Sequence, residues 1–466
     1  MKEIYRSTQK LLTLSTMILL VSSCSDFLDV GSPSTQVSST TVFEDDAAAT
    51  SAMIGIYSEM MSSSGFASGG LSSVTLLSGK SGDDFINYSQ NASAEFAANE
   101  LNENNSYLNS YIWQEGYRYI YDANAILEGL SKSTTLTPSV KQQLTGEAKF
   151  VRAFCNFYLV NLFGKIPLVT TTDYRINREA SRMTSQDVYH LIIADLEDSK
   201  LLLQDDYAVS GGQKTRPNRL AASALLARVY LYTIDYAKAE EESTTLIESD
   251  LTLEESLDDV FLKSSAEAIW QLIPPPGSKS TKEGSIYILT SAPTEISLSD
   301  DLMNHFEDGD LRASHWVGQI ETEGIVFNYP FKYKIKSAST LTEYSMVLRV
   351  AEQYLIRSEA RAQQGKLPEA MQDIDAIRNR AGLPLFKDIY PQIGKDDLLL
   401  AIEHERRMEF FAEWGHRWLD LKRTGRVGEI LGSKPLSAWQ DTDELYPVPL
   451  QEIQNNTNLL PQNPGY

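Results

Sequence analysis

Cysteine is almost missing from this chain: its 466 residues include only Cys24 and Cys155. A scaffold stapled by several disulfides is excluded, so the fold must rest on core packing, for which a chain of this length has ample residues. Basic residues are also in short supply. Lys and Arg total 41 against 63 Asp and Glu, a formal net charge of −22. Nonspecific nucleic-acid binding needs cations to neutralise phosphates, and a peripheral hold on an anionic membrane needs a polybasic patch. The charge balance supports neither. The five histidines form no His-Glu-x-x-His pair, and no Gly-x-Ser-x-Gly elbow is present, which leaves zinc hydrolysis and serine catalysis without support. The apolar run from Leu11 to Val21 is too short for a transmembrane helix, which needs about 20 residues.

That short run has another meaning. Lys2, Arg6 and Lys10 precede it and the small residues Ser22 and Ser23 follow it, the layout of a secretory signal peptide over residues 1–23. Cys24 at its end resembles the lipobox of bacterial lipoproteins, with Val21 standing where leucine is usual. The expectation is a chain acylated at Cys24, followed by a Ser/Thr-rich tether to residue 41. A stable hold on the bilayer takes more than one acyl chain. Loss of three basic residues and one acidic residue takes the formal charge to −24, and Cys155 is left without a disulfide partner.

The body reads as a series of helices. Apolar residues recur at helical spacing over 44–61, 107–130, 139–163, 185–203, 219–233 and 236–249, and again over 346–361 and 369–380. Leu226, Ala227, Tyr230, Tyr236 and Ala239 fall at tetratricopeptide spacings, and Tyr354, Ser358, Gly365, Leu367 and Ala370 make a poorer copy. The 131 residues between the copies exclude a simple 34-residue solenoid. Two stretches break the series. Residues 62–106 are rich in Ser, Gly and Asn and read as a recognition loop, and 251–340 read as a loop-rich insertion, with β-like stretches at 285–290 and 327–336. Gly79-Lys80-Ser81 lacks the earlier glycine of a phosphate loop, and Asp308-Gly309-Asp310 lacks the spaced oxygens of a calcium loop.

Near the end, Asp396 as N-cap and Gly425 as stop predict one long helix. Phe410, Trp414, Trp418 and Leu421 give it an apolar stripe, set against a dense run of Glu and Arg from Glu403 to Arg423. A partly buried Arg/Glu network that docks this helix accounts for the run without a cleft or a substrate. The tail from Leu445 to Tyr466, with four prolines and many amides, is expected to lie extended on the body.

In this order, several segments together resemble the SusD/RagB family of outer-membrane lipoproteins from Bacteroidetes, across essentially the whole mature chain. They are Cys24-Ser-Asp-Phe-Leu-Asp29, Glu147–Phe154 with Leu162–Pro167, Leu348–Arg357, Glu405–Phe410 with Arg417–Leu421, and Gln462–Tyr466. The resemblance implies a mainly α fold over residues 42–466: a SusD-like α/α superhelix of four degenerate tetratricopeptide-like helical pairs, with inserted loops and a few short β-hairpins. Residues 42–250 would form its N-terminal part, 251–340 the insertion and 341–466 the C-terminal part. It also implies no catalysis, and neither a cofactor nor metal-ligating residues are expected. A TonB-dependent outer-membrane transporter is the implied partner, at the cell exterior, and the implied ligand is an oligosaccharide or, in some members, a peptide. A tetratricopeptide-type protein-binding scaffold is the alternative.

Sugars stack their C–H faces on aromatic rings while their hydroxyls bond to Asn, Asp and Arg. On that chemistry the expected ligand contacts are Asp83, Asp84, Asn87 and Tyr88 in the first loop, with Tyr287, Trp316 and Tyr329 in the insertion.

Overall fold

The computed structural model describes residues 42–63 and 65–466. The signal peptide, Cys24 and the tether to residue 41 lie outside the described residues. Two helices of eight residues or more precede the main array. The first, α1 (Asp46–Ser62), starts where the Asp45 side chain accepts the Ala48 N–H. The second, α2 (Val74–Ser81), is capped by Ser73 and lies inside the stretch expected to be loop.

The array then runs through α3 (Glu115–Lys132), α4 (Pro138–Phe163), α5 (Ser185–Leu202), α6 (Arg219–Tyr232), α7 (Tyr236–Ile247), α8 (Val350–Gln363), α9 (Leu367–Arg380) and α10 (Lys395–Phe410). Each packs on the next in chain order, which makes the fold mainly α. Its boundaries follow local chemistry. Thr184, Asn218 and Asp235 accept the N–H two or three residues inside α5, α6 and α7, and Pro138 opens α4. In α6, Ala221, Ala222, Ser223, Ala224 and Ala227 are buried; small residues favour the helix and let its neighbours approach closely.

Buried ion pairs cross the joints of the array. Arg152 of α4 clasps Asp195 of α5 at 2.7 Å, Arg228 of α6 clasps Glu352 of α8 at 2.6 and 2.7 Å, and Arg357 of α8 bonds Asp373 of α9 at 2.7 Å. Such pairs add little net stability over an apolar substitute, but an orphaned partner costs about 3–5 kcal/mol, so they select one register of helix on helix.

Helices α7 and α8 pack directly although residues 248–349 separate them, so the insertion is looped out. Its ends meet as β2 (Ala268–Leu272) and β6 (Ser345–Arg349), an antiparallel pair with Ser345 opposite Leu272 and Arg349 opposite Ala268. Trp270, at a loop-like position in the sequence, lies on β2 within the aromatic core, 5.0 and 5.3 Å from Phe150 and Phe154 between ring centroids. Two further pairs organise the first loop and the insertion. The first joins β1 (Phe85–Asn87) to β3 (Ile296–Leu298), tying the first loop to the insertion. The second is the hairpin of β4 (Val317–Thr322) and β5 (Ile325–Pro330), turned by Glu323 and Gly324 with φ of 53° and 79°. Residues 285–290, expected to be β-like, instead carry the end of a short helix, Lys282–Tyr287, which Thr281 caps.

The predicted long helix is two helices. After α10 the chain breaks at Phe411–Gly415 and restarts as α11 (His416–Arg423), with Gly394 as N-cap of α10 in place of Asp396. Ala412, Trp414 and Gly415 take φ of 59°, 45° and 69°, left-handed values that interrupt the helical ladder. A Cβ on Gly415 would stand 2.6 Å from the Ser78 Cβ, which explains the glycine there. Trp414 is held in its unfavourable backbone well by its indole N–H, which donates to the Met346 carbonyl at 2.8 Å.

The Arg/Glu network surrounds this break and is buried. Arg349 bonds Glu409 Oε1 at 2.6 Å, Glu267 Oε1 at 2.7 Å and both oxygens of Glu413 at 2.9 Å, and donates to the Glu409 carbonyl at 2.8 Å. Arg380 joins Glu267 to Glu409, Arg312 joins Asp310, Glu405 and Glu409, and Lys332 bonds Glu413 at 2.6 Å. Burial opposes ionisation of Glu409 and Glu413, yet the surrounding cations hold both below the usual carboxylate range.

The tail returns to the N-terminal helices. Tyr446 N–H donates to the Leu162 carbonyl at 2.8 Å, and the Asn463 amide donates to the carbonyls of Phe163 and Tyr446 at 2.9 and 2.7 Å. It includes a short helix, Leu450–Asn455, so it is less extended than its prolines suggest. Among the described residues no helix is long and apolar enough to cross a membrane.

Candidate functional site

The end of α2 leads into Asp83 and Asp84, whose carboxylates are taken up by arginines of the break region. Arg417 grips both oxygens of Asp83 at 2.7 and 2.8 Å, and Arg407 bonds Asp84 at 2.9 Å and Asp301 at 2.8 Å. Burial works against the Asp83 charge, but the Arg417 hydrogen bonds and the Arg407 and Arg417 charges bring its pKa down to about 2. Burial pushes Asp84 the other way, above its ordinary value. Both aspartates anchor the first loop on α10 and α11: Asp84 is buried beneath it, whereas Asp83 still lines the cleft described next, with its carboxylate committed to Arg417.

Above this anchor lies a cleft of about 860 Å³. One wall is β1 with the short helix Ala94–Ala98, a second is Ser299–His305, and the third is the outer face of α10 with residues 426–436. Ile86, Ala97, Leu400 and Ile430 give it apolar ground. Asn87, Gln90, Asp300, Arg426 and Lys434 give it donors and acceptors. Burial lowers His404 to about 4, which leaves it neutral at pH 7, and lowers Lys434 to about 8. The Lys434 Nζ donates to the Lys80 carbonyl at 3.0 Å, and Lys80 itself, fully buried, bonds Ser89, Ser93 and Glu295 and so fixes the loop that carries Asn87. Gly79-Lys80-Ser81 thus belongs to a helix end and its lysine to the packing of that loop.

An aromatic row borders β1. Tyr88 is half-buried, with its hydroxyl 3.1 Å from Ser297 Oγ and its ring edge-on to Phe327 at 6.0 Å. Phe327 and Tyr329 lie two apart on β5 and so share a face of the strand. Both remain partly exposed, and Gly318 opposite makes room for the Tyr329 ring, since a Cβ there would stand 2.3 Å from it.

The other two predicted aromatics are placed elsewhere. Trp316 is 0% exposed; its indole N–H donates to the Leu257 carbonyl at 2.9 Å and Lys332 Nζ sits 4.7 Å from its ring. Tyr287 is buried against Phe85, with its hydroxyl unpartnered and its pKa pushed up by burial. Neither ring has a free face for a sugar, so for these two the premise of a loosely packed loop aromatic is corrected. The structure brings Asn87, Tyr88 and Tyr329 to one region, sets Asp83 in the cleft lining with its carboxylate paired, and buries Asp84, Tyr287 and Trp316 beneath or beside it. Sequence reasoning missed Gln90, Phe327 and the wall formed by Leu400, His404 and Arg426. Leu400, an apolar residue on the outer side of an otherwise buried helix, was the available signal for the last of these.

Comparison with known proteins gives a consistent picture. A SusD-like family model described as starch-binding and associating with the outer membrane matches residues 26–231, and a SusD family model matches residues 313–466. The SusD-like protein P2 of Formosa agariphila is 26% identical over 77% of this chain and 80% of its own length. The starch-binding protein SusD of Bacteroides thetaiotaomicron is 24% identical over 74% and 77%. Among solved structures, a SusD superfamily protein from Bacteroides vulgatus superposes with a TM-score of 0.80 at 20% identity, covering 91% of this chain and 99% of that one. A laminarin-binding SusD-like protein superposes with a TM-score of 0.75 at 23% identity, covering 91% and 100%. The superpositions establish the shared fold.

Proposed function

Since the chain belongs to the SusD/RagB family, we propose that it is a cell-surface lipoprotein that captures an oligosaccharide and passes it to a TonB-dependent transporter of the outer membrane, without breaking a bond in it. The observation that carries the ligand class is the partly exposed Tyr88, Phe327 and Tyr329 row beside a cleft bearing Asn87 and Gln90. Rigid rings offer area at low entropic cost, and planar amides pair with neighbouring hydroxyls. Relatives whose names record starch or laminarin binding support the same class. Acylation at Cys24 would tether the mature chain, with residues 25–41 as the leash.

The test is retardation of the soluble chain lacking residues 1–24 in gels loaded with one polysaccharide at a time, backed by calorimetry. Tyr88→Ala with Asn87→Ala should weaken binding about tenfold, the worth of one aromatic contact and one hydrogen bond, while leaving the melt unchanged. Capture of peptides and of no glycan would replace this reading with the peptide-binding one, and turnover of a bound glycan would refute it outright. The anchor is checked separately: Cys24→Ala should move the protein out of the membrane fraction, and unchanged partitioning would remove the lipid.

A further inference from the structure

A second concavity, of about 520 Å³, lies where the start of α3 meets residues 167–178 and 452–459, and it shares no lining residue with the cleft. It is built around aromatics. Trp113 and Tyr117 stand four residues apart with ring centroids 5.0 Å apart and planes tilted by 46°. Tyr121, four residues further along α3, is 47% exposed. The turn that delivers Trp113 is π-helical, Leu108–Gln114, an uncommon geometry that gathers at functional sites.

The row is held open by its neighbours. Tyr117 hydroxyl donates to the Pro167 carbonyl at 2.9 Å, Asn124 amide donates to the Val169 carbonyl at 2.9 Å, and Glu128 accepts the hydroxyls of Thr171 and Thr172. Residues 167–172 are thereby pinned along the face of α3 that carries Tyr121, and the exposed Tyr174 follows directly after them. Around the rings stand the amides of Gln114, Asn177, Asn455 and Asn456. The charges there are spent: Arg118 pairs with Glu59 at 2.7 Å, Arg178 with Glu179 at 3.2 Å, and Glu452 accepts from Gln114 at 2.8 Å.

We infer that this face is a second carbohydrate site, which takes a stretch of an extended, uncharged polysaccharide along Tyr117 and Tyr121, with Trp113, only 3% exposed, packed against Tyr117 and Phe163 as the support of the row. Four helical residues advance ~6 Å, close to the length of one sugar ring in a linear chain. Stacking surface with amides around it suits neutral hydroxyls, and no unpaired cation is offered to a uronic or sulfated unit. The inference rests on the glycan-binding reading for its ligand class alone, because its residues are distinct from those of the cleft. Two sites on one tethered chain would let a single polymer engage both, so avidity would exceed either affinity.

The experiment uses the detergent-solubilised full chain and four probes: soluble starch, a β-glucan, a galactomannan and a xylan, each also as a short fragment. Three forms are compared: wild type, Tyr88→Ala with Asn87→Ala at the cleft rim, and Tyr121→Ala with Asn455→Ala at the second face. All four positions are partly or well exposed, so the fold should survive. For the polymer that binds, the second-face pair should lose about tenfold in apparent affinity, and for its fragment the calorimetric stoichiometry should fall from two sites to one. Unchanged affinity and stoichiometry in the second-face pair would overturn the inference, as would complete loss of binding in the cleft pair alone, which leaves the cleft reading standing. Loss of a protein partner with glycan binding intact would overturn it in favour of protein docking. Failure of the wild type to bind any probe would overturn both readings.

Discussion

Replacing Arg349 by methionine probes the buried network at its centre. The side chain makes five hydrogen bonds and is shared among Glu267, Glu409 and Glu413. Without it, Glu267 keeps Arg380, Glu409 keeps Arg380 and Arg312, and Glu413 keeps Lys332. Removing one partner of a buried pair costs about 3–5 kcal/mol, and since every carboxylate retains a cation here, the lower end, about 3 kcal/mol at pH 7, is expected. The pH dependence identifies the cause. Glu409 and Glu413 are held below their ordinary value of 4.5 in the fold, so their contribution is present above that pH and is lost as pH falls through the folded values. In the variant the same carboxylates, less restrained, take up protons sooner, and the gap from wild type should narrow as pH falls below 4.5 through the folded values of the variant. Urea unfolding followed by far-ultraviolet circular dichroism at pH 7 and at about pH 3 measures both quantities. A loss under about 1 kcal/mol at pH 7, or a loss independent of pH, would refute the account.

Trp316→Ala should destabilise by about 3–5 kcal/mol in urea melts, as large-to-small core changes do, because the indole is wholly buried and bonded to Leu257. Trp418→Ala, at an equally buried ring stacked on Tyr446, should cost about as much; a wild-type melt for either would show that the ring is not core. Glu283 is buried with one carboxylate oxygen bonded to Ser345 and the other unpartnered, and burial raises its pKa from 4.5 to about 7. A carboxyl raised in the fold holds a proton that the unfolded chain has lost, so stability falls as pH rises from about 4.5 to 7. Glu283→Gln should therefore raise the melting temperature at pH 8 and leave it nearly unchanged at pH 4; equal shifts at both would contradict the assignment.

Much of the helical frame is legible in the sequence, because apolar residues at i, i+3 and i+4 set both the helix and the face it buries. Caps such as Thr184 and Asn218 mark the starts, and the excess of charge near Glu409 rightly signals a buried network. The break at Phe411–Gly415 is not legible. Trp414 keeps the apolar spacing of a continuous helix, and only the distant Met346 carbonyl and the Ser78 side chain require the backbone to turn there. The site divides along the same line. That Asn87, Tyr88 and Tyr329 stand partly exposed is what loop composition leads one to expect. Whether Trp316 faces solvent is decided by Phe261 and Leu257, more than 50 residues earlier in the chain, and local pattern carries no trace of that.

The clasp of Asn463 on Phe163 and Tyr446 bears on the order of events during synthesis. A ribosome finishes α4 some 300 residues before it makes the amide that satisfies the Phe163 carbonyl, so that end of α4 waits, partly uncovered, while those residues are made. Residues made this late help to cover the first half, and a nascent chain stopped short of them would present an unfinished surface to chaperones and proteases.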